Sequence, residues 1–347
     1  MLTWIDMDDV VKEVETGELR EAPLPSRSAV VRGLVIVVAI GALLPSFLGL
    51  LGRWGWLLDL CNHFRFQCLL VLFITTLGLL LLRSWRWAGV SMLGLVLNLT
   101  FVLPLYIGSP GDPATGVPFT VMHFNVNTGN SDHTGVIAEI DRHAPDLLFV
   151  QEVNRRWLDA LETGLTDYEL VVEDARTDNF GIACFVRTDR AIEITGSRAF
   201  DLTDGFAQIP VIEVSFTFKG RWINALSIHP LPPISMEYAT IRDAMLEASG
   251  KWASTQRGPC IVVGDFNATP WSTAFRDMQS AGALTNSQVG YGRAPTWPAG
   301  LGSLGMIPID HLLHSNDLVT VDRKIGHAKG SDHKPLVVTL YWRANER

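Results

Sequence analysis

The chain has 347 residues, 48% of them hydrophobic, and a formal net charge of −8. From Thr115 onward, 20 Lys and Arg stand against 27 Asp and Glu. This part of the chain therefore lacks the basic footprint that grips nucleic-acid phosphates, and tight duplex binding is disfavoured.

The apolar excess is concentrated near the start. Residues 1–32 read as a polar cytoplasmic tail. Uncharged apolar stretches then cover 33–52 (20 residues), 66–82 (17) and 87–107 (21). A bilayer takes roughly 20 apolar residues per helix, so 33–107 is predicted to be a membrane domain of three transmembrane helices. The first stretch begins too late, and has too many successors, for a cleavable signal peptide. Arg27 and Arg32 precede it, and Arg83 and Arg86 fill the second loop, against Arg53 and Arg65 in the first. No Lys or Arg follows the third span until Arg142. Positive charge stays inside, which places the N-terminus in the cytoplasm and everything beyond Ile107 outside it.

The linker 108–116, GSPGDPATG, is rich in Gly and Pro and should be irregular. At full stretch it reaches only roughly 30 Å, which keeps the domain over 117–347 beside the bilayer. That domain alternates strands and helices. FTVMHFNVN is a strand, His133 to His143 has helical apolar spacing, and DLLFVQEV is a strand. RRWLDALETGL reads as a helix, then GIACFVR and AIEITGSRAF as strands. Lys219-Gly220 joins a hairpin. A long helix follows from Ser235, then the strands CIVVGDFNA, IDHLLH and PLVVTLYW. Hairpins mixed with crossover helices predict two mixed sheets packed together with helices outside. Cys61 and Cys68 fall at the membrane, and Cys184 and Cys260 read as small buried hydrophobes; their spacing implies no metal site and no disulfide framework.

Polar groups collect where these strands end. Asn125 and Asn127 follow VMHF, Gln151 and Glu152 follow DLLFV, and His229 follows NALSI. Asp265 and Asn267 follow IVVG, Asp310 and His311 sit in PIDHLL, and Asp332 and His333 sit in SDHKPL. Residues one apart on a strand share a face, so Asp265 and Asn267 are expected to be aimed together off the sheet. A buried charge costs several kcal/mol unless paired or bound to a cation. The oxygen-rich set Glu152, Asn125, Asn127 and Asp332, without thiols, selects Mg2+, Mn2+ or Ca2+ over zinc, and Mg2+ is the expected ion. Such a set suits metal-assisted hydrolysis of a phosphate ester.

In this order the residues resemble the endonuclease/exonuclease/phosphatase superfamily, which includes deoxyribonuclease I, abasic-site endonucleases, neutral sphingomyelinases and inositol polyphosphate 5-phosphatases. The resemblance covers about residues 118–343 and rests chiefly on GDFN, SDHKPL and the QE after an apolar strand. It implies a four-layer α/β sandwich. It also implies that Glu152 and Asn125 hold the metal, with Asp332 as a further ligand or supporting acid. Asp265 would activate or position the water, Asn267 support the phosphate, His333 contact the scissile phosphate and Asp310 orient His333. Asn127 stands where abasic-site endonucleases carry Asp, and His229 where they carry Tyr. Both departures point away from abasic-site repair. SIHPLPP is similar to the sphingomyelinase-like and uncharacterised bacterial branches, whose His implies a catalytic role for His229. NVNTGN, TWP and the three spans are similar to membrane-anchored bacterial members.

Some residues have plainer readings. His229 can be weighed as a core histidine capping its strand, and Asn130 as a turn or cap residue. His311 is expected to face away from the site, Arg187 to be a surface charge and Trp297 to be packing. His123 reads equally as core or site. The sequence therefore predicts a membrane-tethered, metal-dependent phosphoesterase acting near the bilayer surface on a mono- or diester: a lipid head group, a lipid-linked phosphate or nucleic acid. A membrane-anchored nuclease and a non-catalytic scaffold with a degenerate site are the alternatives.

Overall fold

A computed structural model describes residues 26–108 and 117–343. Most of the expected tail, and the linker from 109 to 116, lie outside the described residues.

The three apolar stretches form helices α1 (Arg27–Leu48), α3 (Arg65–Leu81) and α4 (Trp85–Val102); with the helical turns that adjoin them, Arg27–Trp54, Trp56–Leu81 and Trp85–Leu105 are long and apolar enough to cross a membrane. α1 starts six residues before the expected span because the Ser26 hydroxyl caps it, accepting from Ala29 N. The bundle is inverted relative to a water-soluble one. Leu34, Val37, Phe73, Ile74, Leu81 and Leu93 are exposed, while Ala39, Ala42, Ser46, Thr75, Thr76, Ser91, Gly94 and Asn98 are buried. Small residues let helices approach closely without a hydrophobic driving force, and hydroxyl pairs such as Thr76 Oγ1 to Ser91 Oγ (2.8 Å) join them. The first loop is not a bare connection. It holds a 3-10 turn (Gly49–Trp54), the short helix α2 (Trp56–Leu60) and a second 3-10 turn (Cys61–Phe64). Arg65, expected in that loop as a free charge, is buried and donates to Asn62 Oδ1 and Ser46 O, both at 2.6 Å.

The remainder is built from β1 (Phe119–Asn125), α5 (His133–His143), β2 (Leu147–Gln151), α6 (Arg155–Gly164), β3 (Tyr168–Asp174), β4 (Ile182–Arg187), β5 (Ile192–Asp201), β6 (Pro210–Phe218), β7 (Arg221–Ser227), α7 (Met236–Thr255), β8 (Cys260–Asp265), α8 (Thr273–Ala281), β9 (Thr285–Asn286), the one-turn helix α9 (Gly302–Gly305), β10 (Asp310–His314), β11 (Leu318–Ile325) and β12 (Leu336–Trp342). The strands form two six-stranded sheets, ordered β11-β12-β1-β2-β4-β3 and β5-β6-β7-β8-β10-β9. Only β1–β2 and β7–β8 are parallel among the long pairings, so each sheet is mixed. Lys219 and Gly220, both at positive φ, make the expected tight hairpin between β6 and β7.

The sheets pack face to face over Phe119, Val121, Phe149, Cys184, Phe216, Val263 and Val338. α5 and α6 cover the outer face of the first sheet through Val136, Ile140, Trp157 and Leu161. α7 and α8 cover the second through Met245, Leu246, Phe275 and Met278. This is the four-layer α/β sandwich. Cys184 lies in the central layer and Cys260 in an outer one, and all four cysteines are free.

Candidate active site

The polar residues converge because β1, β2, β8 and β10 end side by side at the centre of the two sheets. Gln151, the last residue of β2, fastens the sheets together there. Its Nε2 donates to Ile228 O (2.7 Å) and its Oε1 accepts from Asp265 N (3.0 Å). Gly264 is dictated by this junction. Its φ is +146°, and a Cβ would lie 2.0 Å from Ile228 O. The chain then leaves the sheet in left-handed conformation at Asn127, Glu152 and Asn267, with φ of 61°, 61° and 47°. Non-glycine residues in that region cost on the order of 1–3 kcal/mol and gather at functional sites.

Asp310 lies between two imidazoles. Its Oδ2 is 3.0 Å from His333 Nδ1, and its Oδ1 is 2.8 Å from His123 Nε2. Burial opposes its charge, but the neighbouring His333 and His123 hold its carboxyl well below the usual range. Burial likewise disfavours a charged His333, yet Asp310 and Asp265 outweigh it and lift the ring to about 10. His333 is thus an imidazolium, with Nε2 turned to Asp265 Oδ2 at 3.5 Å. Burial pushes the Asp265 carboxyl up to about 8, against the pull of His333. His229 Nε2 is 3.6 Å from the same oxygen. Burial, with the charge of His333 added, lowers His229 to about 3, so this ring is neutral.

On the other side of Asp265, Asn125 Nδ2 donates to Glu152 Oε1 (2.9 Å) and reaches Asp265 Oδ2 at 3.5 Å. Glu152 Oε2 accepts from Thr128 N at 3.2 Å. Burial raises the Glu152 carboxyl against these hydrogen bonds, and the charge of Asp332 adds to the rise. Asp332 stands exposed on the rim, its oxygens accepting from Asn127 Nδ2 (2.7 Å) and Trp297 Nε1 (3.0 Å).

These carboxylates call for a cation. Among the described residues no Lys or Arg pairs with Glu152, Asp265 or Asp332, and the groups facing Asp265 that can carry positive charge are the imidazoles of His229 and His333. Ligand atoms of Asp265, Asp310 and His333 lie within 4.8 Å of one another. His333, however, is already engaged with Asp310, so a divalent ion fits better between Glu152 and Asp265. There the donors are oxygens, which suits a hard cation. Asn125 presents an N–H to this space rather than its carbonyl, which accepts from Asn127 N at 3.1 Å.

Several sequence-based placements need correction. Asp265 and Asn267 do not share a strand face: β8 ends at Asp265, and the left-handed turn brings Asn267 N back onto Asp265 Oδ1 at 2.9 Å. Asn267 Nδ2 is bound to Pro230 O (2.9 Å). Trp297 is more than packing, since it holds Asp332. His311 does face away, bonding Ala268 O at 2.9 Å and stacking on Phe266 and Phe275. Asn130 ties Val126 O to Lys329 O as a turn residue, and Arg187 pairs with Asp189. His123 belongs with the site. Its position two before Asn125 on β1 was the available signal, as both residues share a strand face.

Residues 122–333, more than half of the chain, match the Endonuclease/Exonuclease/phosphatase family. No curated protein matches the chain in sequence. Solved structures share the fold at low identity. D. rerio TDP2 complexed with single strand DNA product is 14% identical with a TM-score of 0.56, covering 65% of this chain and 99% of that one. The endonuclease/exonuclease/phosphatase from Bacteroides vulgatus is 18% identical with a TM-score of 0.55, over 65% and 100%. The Bacteroides thetaiotaomicron mannosyl-6-phosphatase is 19% identical with a TM-score of 0.50, over the same shares.

Proposed function

The chain belongs to the endonuclease/exonuclease/phosphatase family and is a metal-dependent phosphoric ester hydrolase; from that premise we propose that it is anchored in a membrane and hydrolyses a phosphate ester presented at the bilayer surface. The observation that carries this reading is a single loop that touches both the site and the membrane domain. Trp297 holds Asp332 at the rim, and Ala299 N donates to Asp332 O at 2.8 Å. A few residues on, Leu304 O and Met306 O accept from Gln67 Nε2, in the first turn of α3, at 3.1 and 3.2 Å. Leu301 and Leu304 in this loop are exposed. The rim of the site is thus tied to the membrane domain, which supports an ester in the lipid head-group layer over a soluble one. The acidic domain disfavours nucleic acid.

In this reading Glu152 and Asp265, with Asp332 at the rim beside them, would hold Mg2+, which would neutralise charge on the phosphoryl oxygens and lower the pKa of a bound water; Asn125 steadies the two carboxylates through its N–H. The His333 imidazolium, steadied by Asp310, faces the same space and stabilises negative charge as the ester bond breaks. Asp265 takes the proton of the attacking water, and Asn267 and neutral His229 orient the phosphate. The domain lies outside the cytoplasm. The test is a comparison of initial rates with Mg2+ on phospholipid vesicles, soluble phosphomonoesters, plasmid DNA and RNA, using the full chain in nanodiscs. Faster turnover of a vesicle-borne ester supports the reading; preference for DNA or RNA supports the nuclease alternative and refutes it.

A further inference from the structure

We propose that the loop between the first two membrane helices is part of the active site: Asp59 and His63 are positioning residues that hold the turn carrying Asp265 and Asn267. The proposal rests on the reading of Asp265 and Asn267 as catalytic. It adds residues that lie far upstream of the catalytic domain in sequence.

The segment Asp265–Thr273 leaves β8 and runs straight onto the membrane domain. Thr269, Trp271, Ser272 and Thr273 are tied down there directly, and Asn267 through Arg242. Arg242, fully buried on α7, donates through Nη1 to Asn267 O at 3.4 Å and through Nη2 to Asp59 Oδ2 at 3.1 Å. Thr269 N donates to His63 Nδ1 at 3.3 Å. Trp271 is buried among Phe66, Leu69, Phe101, Val102 and Leu105, and its Nε1 donates to Phe101 O at 3.0 Å. Ser272 Oγ donates to Asp59 Oδ2 (2.8 Å) and Thr273 N to Asp59 Oδ1 (2.7 Å). Asn62 Nδ2 adds a fourth donor to the Asp59 carboxylate at 3.2 Å. The approach is close enough that a Cβ on Gly52 would lie 2.6 Å from Thr273 Oγ1.

Asp59, His63 and Arg242 are almost wholly buried. A carboxylate and a guanidinium stay buried together only when every hydrogen-bonding group is matched. Here three of the matching partners belong to the catalytic turn itself, Asn267 O, Thr273 N and the Ser272 hydroxyl, with Asn62 and Asp243 as the others. The left-handed Asn267 is thereby clamped from two sides, by Arg242 at its carbonyl and by Pro230 at its side chain. Loss of the clamp should let the turn relax, moving Asn267 and Asp265 relative to His333. Small displacements of reacting groups are costly: about 1 Å can lower turnover on the order of a hundredfold.

The test uses the full chain in nanodiscs with bis(nitrophenyl) phosphate and Mg2+, comparing wild type, Asp59→Asn and His63→Gln. Amide hydrogen exchange is read on the same samples. The expected result is a fall in kcat of about tenfold to a hundredfold with KM little changed. Faster exchange should be confined to 265–273, with the central strands protected as in wild type. Normal kcat and unchanged exchange in folded Asp59→Asn overturn the proposal, as does faster exchange throughout the domain, which marks a purely structural interface. If Asp59→Asn does not fold, His63→Gln is judged by the same two readouts. Should wild type hydrolyse no ester while exchange in 265–273 still responds, the catalytic reading fails and the clamp stands.

Discussion

The Nδ1 of His333 lies 3.0 Å from Oδ2 of Asp310, and the pair sits buried beneath the mouth of the site with the ring's other nitrogen facing Asp265. This contact fixes both the orientation and the charge of the imidazole, because a buried carboxylate favours the protonated ring. His333→Ala should lower kcat by roughly a hundredfold to a thousandfold, by analogy with the loss of one preorganised donor to a developing anion. Asp310→Asn should act in the same direction by releasing the ring. Turnover and melting temperature are measured together; a large fall in melting temperature with near-normal turnover would make His333 a structural residue.

Glu152 carries the metal requirement. It is half-buried beside Asp265 and has only neutral donors, Asn125 and Thr128, on its oxygens. Glu152→Gln keeps the shape but removes the charge that offsets a divalent ion, so the Mg2+ concentration for half-maximal activity should rise at least about tenfold. A metal titration of the two proteins checks this, and identical curves contradict it.

Three buried imidazoles make the fold acid-labile. Burial lowers His229 and His311 to about 3 and His314 to about 4. Below the ordinary histidine value near 6.5, the unfolded chain takes up protons that the folded chain refuses. Stability therefore falls as pH drops from about 6.5 towards 4, by roughly 1.4 kcal/mol per pH unit for each proton. His333 does not oppose this, since its raised value leaves it protonated in both states below the unfolded value; Asp265, raised to about 8, is protonated first in the folded chain and offsets about one of the three protons. Melting temperature against pH in the presence of chelator should show the slope, and His314→Gln should reduce it by about one proton.

The fold was largely legible because the alternation of apolar runs and turn residues is explicit in the chain. Lys219-Gly220 marked a hairpin, and the strand ends marked the site. The local geometry was less so. Strand periodicity placed Asp265 and Asn267 on one face, whereas β8 stops at Asp265 and the chain turns left-handed. Nothing in a two-residue period announces such a turn. Gln151 showed in sequence as a polar strand end, but its role in joining two sheets depends on where Ile228 comes to lie. Asp59 and Arg242 are separated by 183 residues, and only the folded chain brings them together. Trp297 lacked a signal for the same reason.

The structure also sharpens the orientation argument. Of the two cations in the first loop, Arg65 is buried within the helix bundle and Arg53 pairs with Asp277 of the catalytic domain. Arg65 is thus withdrawn from the loop, and Arg53 remains its one exposed cation, against Arg27, Arg32, Arg83 and Arg86 on the other side. The proposed topology, with positive charge retained in the cytoplasm, has the N-terminus inside and the catalytic domain outside. A reporter active only outside the cytoplasm, fused after Arg347, should give signal. A silent fusion, with an active cytoplasmic counterpart, contradicts the topology.

The central claim is that metal-dependent hydrolysis of a phosphate ester takes place around Asp265, where Glu152, Asn125, His229 and His333 converge. The most direct measurement is release of product from a phospholipid substrate by the full chain in nanodiscs, with Mg2+ or with excess chelator, beside Asp265→Ala. Hydrolysis that requires the ion and falls at least about a hundredfold in the variant is the predicted result. Undiminished hydrolysis in chelator, or in Asp265→Ala that remains folded, would contradict it.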